Sequence, residues 1–185
     1  EEISEDIKML SIENTFLEEK SYLNLAAISE TVNELIKFFE KFEDYYPKLK
    51  LLFDSVYFTK DISEAVYTVF NRFGEVKDNA TTTLKAIRKD ISEIRRSIDQ
   101  NFQKSMAHNA RLGFLDDIRE SVVDNHRVLA VLAMHRRKVK GNFLGSSKSG
   151  NIVYIAPQAT LNYDRELQNF TYEEKKEFTK IITEL

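Results

Sequence analysis

The stretch Asn125–Tyr163, NHRVLAVLAMHRRKVKGNFLGSSKSGNIVYIAPQATLNY, differs from the rest of this 185-residue chain in both pattern and charge. Its apolar residues form short runs, Val128–Leu132 and Ile152–Ile155, separated by glycines, whereas on both sides of it they recur at helical spacing. Short apolar runs bounded by turn residues are typical of strands. We therefore predict a mainly α-helical protein with a small antiparallel β insertion.

The same stretch contains no Asp and no Glu but six Lys or Arg residues. The whole chain has 27 basic and 30 acidic residues, so the remaining residues carry 21 basic against 30 acidic, a net charge of −9. A basic segment on an otherwise acidic protein indicates a polyanionic partner, most simply a phosphate backbone. The opposing interpretation is a set of cations that protect a sheet edge, although solubilising surfaces normally mix both signs.

Long helices are predicted on both sides of the insertion, because the apolar residues step by three and four over 18–43, 84–106 and 163–185. The predicted buried stripes are Leu25, Ile28, Val32, Leu35, Phe39 and Phe42; Leu84, Ile87, Ile91, Ile94, Ile98, Phe102 and Met106; and Tyr163, Leu167, Phe170, Phe178, Ile181 and Leu185. A shorter helix from Asp61 is predicted to bury Ile62, Val66, Val69 and Phe73. Two architectures fit these patterns: an antiparallel helical stalk with a β-rich tip, and a compact bundle with a β flap. A dimerising coiled coil is the less favoured interpretation of the stripes.

Within the insertion we predict a strand at 120–124, a turn at Asn125-His126, a returning strand at 127–134, and a second hairpin from 140–144 and 151–155. If 136–140 is extended, its alternate side chains share one face. The Ser- and Gly-rich loop at 145–150 can bring amides and hydroxyls close to a phosphate, and a flexible hairpin turn is the plainer reading. The predicted DNA-binding residues are Arg127, Arg136, Arg137, Lys138, Lys140, Ser147, Lys148 and Ser149.

No catalytic or metal-binding pattern is found. The chain has no Cys, and its three His residues have no ligand partners at suitable spacing. The G-x-x-x-x-G-K-[ST], G-x-S-x-G and H-E-x-x-H motifs are absent, as are a signal peptide and an apolar run of transmembrane length. We therefore expect a cytoplasmic chain without a membrane partner, cofactor, metal or enzymatic activity of its own. Because it begins at Glu1 and ends at Leu185 within a helical pattern, we expect it to be a piece of a longer protein.

Several short motifs occur in a fixed order along the second half of the chain. They are Asn125-His126-Arg127, Lys140-Gly141, Ser147–Gly150, Ile152–Pro157, and a helix with Arg165-Glu166-Leu167 and Glu173-Glu174. From about residue 74 onward the chain thereby resembles the MutS family of DNA mismatch-recognition ATPases, in particular the anti-recombination branch that lacks the mismatch-reading domain. His126, Gly145, Ile152 and Ala156 depart from the family pattern, which indicates a divergent paralogue.

The resemblance implies a lever of long helices that carries a β-rich clamp at its tip, and a clamp that contacts the DNA backbone without reading sequence. We accordingly expect a helical lever and core at 1–115, a clamp-like insertion at 116–157 and a returning lever helix at 158–185. The ATPase domain, which uses ATP and Mg²⁺, would lie beyond this chain in a homodimeric protein of DNA mismatch repair or recombination, and some members carry a nuclease domain further on. Members of the branch are linked to branched DNA and to stalled ribosomes, so an RNA partner is one alternative. A helical protein-interaction or dimerisation module is the other.

Overall fold

The structure, a computed structural model, describes residues 3–12 and 15–185 as six α-helices, one 3-10 helix and a four-stranded sheet. The α-helices are α1 (Ser4–Leu10), α2 (Glu19–Lys41), α3 (Pro47–Phe53), α4 (Asp61–Val69), α5 (Thr82–Arg111) and α6 (Gln158–Glu184). The strands are β1 (Leu115–Val123), β2 (His126–Leu132), β3 (Gly141–Ser146) and β4 (Ile152–Pro157), and the 3-10 helix is Ala133–Lys138. The predicted fold class, mainly α with a small antiparallel β insertion, is confirmed. Among the described residues, no helix is long and apolar enough to cross a membrane.

The chain divides into two units, and the division falls inside α5 and α6. Residues 1–85 and 175–185 form the first unit, and residues 86–174 form the second. Charge differs between them: the first unit has 13 basic and 19 acidic residues, whereas the second has 14 basic and 11 acidic residues. The numbers of basic residues are nearly equal, so it is the smaller number of acidic residues that leaves the unit containing the sheet with a net positive charge.

The core of the first unit is built around the aromatic pair Tyr22 and Phe70. Their rings stack with centroids 5.6 Å apart, and the Tyr22 hydroxyl donates a hydrogen bond of 3.2 Å to the carbonyl of Ile182. The buried residues around them are Leu17, Ala26, Val66, Val76, Leu84, Ile181 and Ile182. The ends of α5 and α6 that belong to this unit thus share one apolar core with α2 and α4.

Two of the predicted buried faces in this unit are displaced. In α2 the buried residues are Tyr22, Ala26, Asn33 and Ile36, while Leu35 of the predicted stripe is exposed. Burial of Asn33 is offset by its two hydrogen bonds to the backbone of Thr59, at 2.6 and 3.2 Å, because a buried amide must be paired. This pairing with a distant loop rotates the buried face of α2 away from the apolar stripe.

In and after α4, Ile62 and Phe73 of the predicted stripe are exposed, whereas Phe70 is buried. The helix ends at Val69, and a turn through Gly74, with φ of +85°, leads to an antiparallel bridge between Phe70 and Val76. Phe73 lies in that turn rather than on the helix. The predicted helical register fails there because the chain has already reversed direction.

The sheet of the second unit is antiparallel, with strand order β1-β2-β4-β3. β1 and β2 are joined through Asp124 and Asn125, which have φ of 48° and 63°. Two consecutive residues with positive φ are the signature of the tight hairpin turn that matches strand twist. The predicted turn at Asn125-His126 is therefore one residue too late, while the second predicted hairpin is confirmed as β3 and β4.

One face of the sheet packs on α5. The core of the second unit contains Phe102, Leu129, Val131, Val139, Val153 and Ile155. The stripe predicted for α5 is confirmed at Leu84, Ile87, Ile91, Ile94 and Phe102, which are all buried. Of these residues, Phe102 packs on the sheet, whereas Leu84 belongs to the core of the first unit.

Within this unit α5 and α6 run antiparallel. Nε of Arg88, early in α5, lies 2.8 Å from Oε1 of Glu174, late in α6, whereas Phe102 further along α5 lines a cavity with Thr160 at the start of α6. Glu174 is the one polar residue in the predicted stripe of α6. Its carboxylate is accommodated there because a guanidinium faces it.

Candidate nucleic-acid interface

The predicted strand across 127–134, and the extended reading of 136–140, are wrong for the residues after Leu132. The backbone N–H of Ala133 donates a hydrogen bond to the carbonyl of Asn151, just before β4. Ala133–Lys138 then form the 3-10 helix. Val139 returns to the core directly afterwards. A 3-10 helix rises about 2 Å per residue, whereas a strand rises about 3.3 Å per residue. The six residues Ala133–Lys138 therefore span a shorter distance as a 3-10 helix than they would as a strand.

Two cations of the 3-10 helix are held over aromatic rings. Cζ of Arg136 lies 4.2 Å from the ring centroid of Phe143 in β3, and Nζ of Lys138 lies 5.3 Å from that of Phe114. Both side chains remain exposed. A ring face attracts a cation and supports its aliphatic stem while the charged end stays in water. The rings therefore orient these charges without neutralising them.

Five predicted site residues form what we term the exposed cation set: Arg136, Arg137, Lys138, Lys140 and Lys148. In the part of the chain that the structure describes, none of them makes an ion pair. Most of the set adjoins the β3–β4 hairpin, because Arg136 stacks on Phe143, Lys140 immediately precedes β3 and Lys148 lies in the connecting turn. Positive charge is thus gathered around one hairpin.

Arg127 has a different environment from the exposed cation set. Its guanidinium donates hydrogen bonds of 2.7 Å to both Glu120 and Asp99, and Cζ lies 4.2 Å from the ring centroid of Phe102. The hydrogen bond to Glu120, followed by that to Asp99, raises the pKa of Arg127 against the opposing effect of burial. Two partly exposed carboxylates of the same unit therefore balance this charge.

The two predicted serines shape the β3–β4 turn. Oγ of Ser147 accepts a hydrogen bond of 3.2 Å from the backbone N–H of Ile152, and Oγ of Ser149 accepts one of 3.5 Å from Asn151. The two hydroxyls are 3.3 Å apart. The turn is an ordered structure that presents Lys148 outward, and the hydroxyls are used mainly within it.

The two edges of the sheet carry opposite charge. β1 and the turn that follows it contain four acidic residues and one basic residue, namely Asp116, Asp117, Glu120, Asp124 and Arg119. β3, at the other edge, has no charged residue, and its turn to β4 adds Lys148. The described residues contain no cluster of three His, Asp or Glu side chains that would hold a metal ion. The arrangement is suited to holding a polyanion on the β3 side.

Sequence reasoning missed the aromatic residues that place the cations. Phe143 and Phe114 do not stand out in the sequence, because each is one aromatic residue next to a Leu and belongs to no periodic apolar pattern. The 45% exposure of Phe143 in a short edge strand is visible only in the structure. Ring contacts across the chain cannot be read from local spacing.

Comparison with known proteins gives relatives over most of the chain. It is 28% identical over 144 residues, 77% of this chain, to "Endonuclease MutS2" of Clostridioides difficile (strain 630). It is 26% identical over 182 residues, 97% of this chain, to the protein of the same name from Ligilactobacillus salivarius (strain UCC118). A third, from Lactococcus lactis subsp. lactis (strain IL1403), is 26% identical over 190 residues and covers 100% of this chain.

The match covers only part of each relative. The chain spans 18%, 23% and 23% of the length of these three proteins, and no model of a known protein family matches it. The resemblance predicted from the short motifs is nevertheless confirmed, since the relatives found carry the MutS2 name and extend beyond the motif region. These relatives establish that the chain is related to the MutS family, through the proteins named MutS2.

Proposed function

We propose that residues 86–174 bind the phosphate backbone of duplex DNA without reading its sequence. The observation that carries this proposal is the exposed cation set: five cations, three of them at the β3–β4 hairpin, without an ion-pair partner among the described residues, in a unit with no acid between 125 and 163. The MutS2 relatives favour a nucleic acid as the source of the phosphates, because their names describe endonucleases, and the resemblance to the MutS family favours DNA. Arg127 is left out of this contact, since its charge is balanced internally.

Sequence independence follows from the kind of contact. Lys and Arg neutralise phosphates and release condensed counterions whatever the bases are, whereas sequence is read by hydrogen bonds to base edges. Arg136 and Arg137 add planar guanidinium groups that match two phosphate oxygens. The expected affinity is therefore strongly dependent on salt and weakly dependent on sequence.

For the whole protein we propose a MutS-like role in DNA mismatch repair or recombination, as a cytoplasmic ATPase whose ATP and Mg²⁺ bind outside this chain. The long helices α5 and α6 would serve as the lever, residues 116–157 as the clamp, and residues 1–115 and 158–185 as the lever regions. The 185-residue chain itself is proposed to have no enzymatic activity, because it lacks a phosphate-cradling loop. RNA is the alternative polyanion.

The test compares two quadruple variants of the 185-residue chain on the same duplex over a range of salt concentrations. In the first, Arg136, Arg137, Lys138 and Lys140 are replaced by Ala. Each lost phosphate contact lowers the slope of log K against log salt by roughly 0.9, so the slope should fall by about 3–4. The matched control replaces four exposed cations elsewhere, Lys20, Lys48, Lys85 and Arg96, and should change the slope much less.

The outcomes separate the candidate partners. Thermal unfolding must first show that both variants fold, since Arg stems also pack on rings. Unchanged binding of the first variant to DNA and RNA at every salt concentration would contradict the proposal. Binding lost equally for all sequences supports it, and a marked preference for RNA over DNA would favour the RNA alternative.

A second candidate function, self-association, is favoured by an aromatic cluster between α2 and α3. Six rings there are linked by pairwise contacts into one cluster, and none is buried: Phe38, Phe39, Phe42, Tyr45, Tyr46 and Phe53. Residues 37–54 contain four basic and four acidic residues. A neutral apolar surface can face a copy of itself without repulsion, so we propose that it forms the contact of a homodimer.

The dimer contact is tested by sedimentation at several protein concentrations. Tyr45 is 79% exposed and Leu52 is 68% exposed, so Tyr45→Ser with Leu52→Ser should leave the fold intact and weaken the dimer at least tenfold, about 1.4 kcal/mol. A wild-type chain that stays monomeric at every concentration contradicts this candidate. The control is the affinity of the same variant for duplex DNA. Each monomer of the variant should bind DNA as tightly as a wild-type monomer does.

A further inference from the structure

A cavity of about 220 Å³ opens in the second unit, and residues of β2, β3, β4 and α6 line it. Asn142 of β3 pairs with Ala156 of β4, and both line the cavity. Phe143 pairs with Ile155, which belongs to the core that packs on α5. Because successive strand residues point to opposite faces, the cavity lies on the other face of the sheet, and the ring that supports Arg136 points away from it.

The first turns of α6 form one wall of the cavity. The helix begins at Gln158, directly after β4 ends at Pro157. Its lining residues follow the spacing i, i+3, i+4 and i+7, which places them on one helical face. They are Leu161, Asp164, Arg165 and Gln168, and the strands provide His126, Asn142, Leu144 and Ala156. The helix therefore brings a carboxylate, a guanidinium and an amide to the same cavity.

The polar side chains of the cavity are without protein partners. In the part of the chain that the structure describes, no hydrogen bond or ion pair is made by the side chains of His126, Asn142, Asp164, Arg165 and Gln168. Asp164 and Arg165 are adjacent in the helix, and neighbours at i and i+1 do not face each other. One charge of each sign, with two amides and an imidazole, is therefore available to a ligand.

The volume and the charges limit what the ligand can be. Sites for drug-sized ligands measure about 300–1,000 Å³, so this cavity takes a smaller molecule. A simple anion would lie against Asp164 as well as Arg165, and a simple cation would meet the reverse difficulty. A neutral molecule would displace water from both charges without pairing either. A small zwitterion pairs both, and Leu144, Ala156 and Leu161 add an apolar surface that suits an aliphatic substituent.

We propose that the cavity binds a free α-amino acid with an aliphatic side chain. The guanidinium of Arg165 pairs with the ligand carboxylate, which its planar fork of donors matches, and the carboxylate of Asp164 pairs with the ligand ammonium. The amides of Asn142 and Gln168 carry both donors and acceptors, which complete the hydrogen bonds of the two charged groups. The site uses no member of the exposed cation set, so it is separate from the proposed DNA contact.

The ligand class is tested by titrating the 185-residue chain with L-leucine and following the backbone amide signals of Leu161 and Gln168 by NMR. Two analogues keep the carbon skeleton and remove one charge each: leucinamide lacks the carboxylate, and isocaproate lacks the ammonium. Each analogue should bind about tenfold more weakly than leucine, because it loses one charge-assisted contact. This comparison uses only the wild-type chain, so it does not depend on the folding of a variant.

Two variants assign the partners within the cavity. Arg165→Gln should weaken leucine binding about tenfold without weakening leucinamide, which has no carboxylate for Arg165 to pair with. Asp164→Asn should weaken leucine binding by a similar factor without weakening isocaproate, which has no ammonium. Glu166→Gln is the matched control, because Glu166 is exposed beside Arg165 and does not line the cavity. It should leave leucine binding unchanged.

The results separate this site from the DNA contact. Absence of saturable shifts with leucine up to about 10 mM, tenfold above a Kd of about 1 mM, overturns the proposal. Equal affinities for leucine and both analogues, or equal losses of leucine and leucinamide in Arg165→Gln, overturn it as well. Tenfold losses with the stated selectivity support it. No DNA is present in these titrations, so a failure to bind leucine leaves the proposed DNA contact standing, and a failure to bind DNA leaves this site standing.

Discussion

The Nε–H of Arg127 donates a hydrogen bond of 2.7 Å to Oε2 of Glu120, across the β1–β2 hairpin. The same guanidinium reaches Asp99 of α5 at 2.7 Å, so it fastens the hairpin to the long helix. Arg127 belongs to the acid-free stretch of the sequence, yet its charge is the one most fully balanced by acids. Charge read along the chain therefore overstates the positive charge that a ligand meets.

Replacing Arg127 with Ala should affect stability and not binding. The loss combines two charge-assisted contacts to partly exposed carboxylates with the cation–π contact to Phe102, together about 1–2 kcal/mol of unfolding free energy. Urea denaturation measures this change. The salt slope of DNA binding should stay at the wild-type value, and a slope lowered by about one phosphate contact would show that Arg127 touches DNA after all.

The contribution of Arg127 to the free energy of unfolding should not vary with pH in the neutral range. The pKa of Arg127 is raised in the folded protein, so its stabilisation is fully present below the pKa of the unfolded state, which already lies far above neutral pH, and is lost only as pH rises through the still higher folded value. The difference in unfolding free energy between wild type and Arg127→Ala, measured from about pH 6 to about pH 9, should therefore stay constant on account of the guanidinium. A difference that shrinks as pH rises across this interval would contradict the assignment.

Gly141→Ala should disrupt the start of β3. A Cβ at this position would lie 2.1 Å from the carbonyl oxygen of Ala156, so the paired strands must separate, at a cost of about 1–3 kcal/mol or more. Gly145→Ala is a close control, because Gly145 has almost the same φ, 159° against 157°, and no atom within 4 Å of its Cβ position. Thermal unfolding and amide exchange in β4 compare the two, and equal effects would rule out the steric explanation.

Exchanging the charges of Arg88 and Glu174 tests how α5 faces α6. Each single variant, Arg88→Glu or Glu174→Arg, places like charges at a contact that is 2.8 Å in the wild type and should lower the unfolding free energy by about 1 kcal/mol. The double variant should recover about half of the summed loss or more, as a positive coupling in a double-mutant cycle. Strictly additive effects would mean that the two side chains do not meet in solution.

Ile91→Asp should be strongly destabilising, because Ile91 is 6% exposed on the buried face of α5. An unpaired carboxylate in that position is expected to cost several kcal/mol. Ser92→Asp, one residue along on the exposed side of the same helix, should change the unfolding free energy by less than about 0.5 kcal/mol. Urea denaturation of both variants gives the comparison, and a similar cost for each would place the core elsewhere.

The sequence predicted the long elements well, since their signal is periodic. α5 buries the stripe that runs from Leu84 to Phe102, and the short apolar runs became β2 and β4. The 3-10 helix was not foreseen, because Ala133 and Met134 extend the apolar run of β2 without a break. What ends β2 is the return of Val139 to the core, a constraint from tertiary packing that leaves no local mark.

Contacts between side chains that are distant in sequence were also not predicted. The face of α2 is set by Asn33 and its bonds to Thr59, 26 residues away. The proposed contact omits Arg127 for the same reason, because its guanidinium pairs with Asp99 and Glu120. The hydroxyls of Ser147 and Ser149 likewise make hydrogen bonds within the turn. Composition located the basic segment, whereas only the fold shows which of its charges are unpaired among the described residues.

The opposite charges on the two edges of the sheet also affect how an encounter begins. Acids on β1 and Lys148 beyond β3 are separated by three strand spacings, about 14 Å, which gives the sheet an electric dipole across its strands. In the field of a polyanion this dipole experiences a torque that turns the β3 side forward before contact.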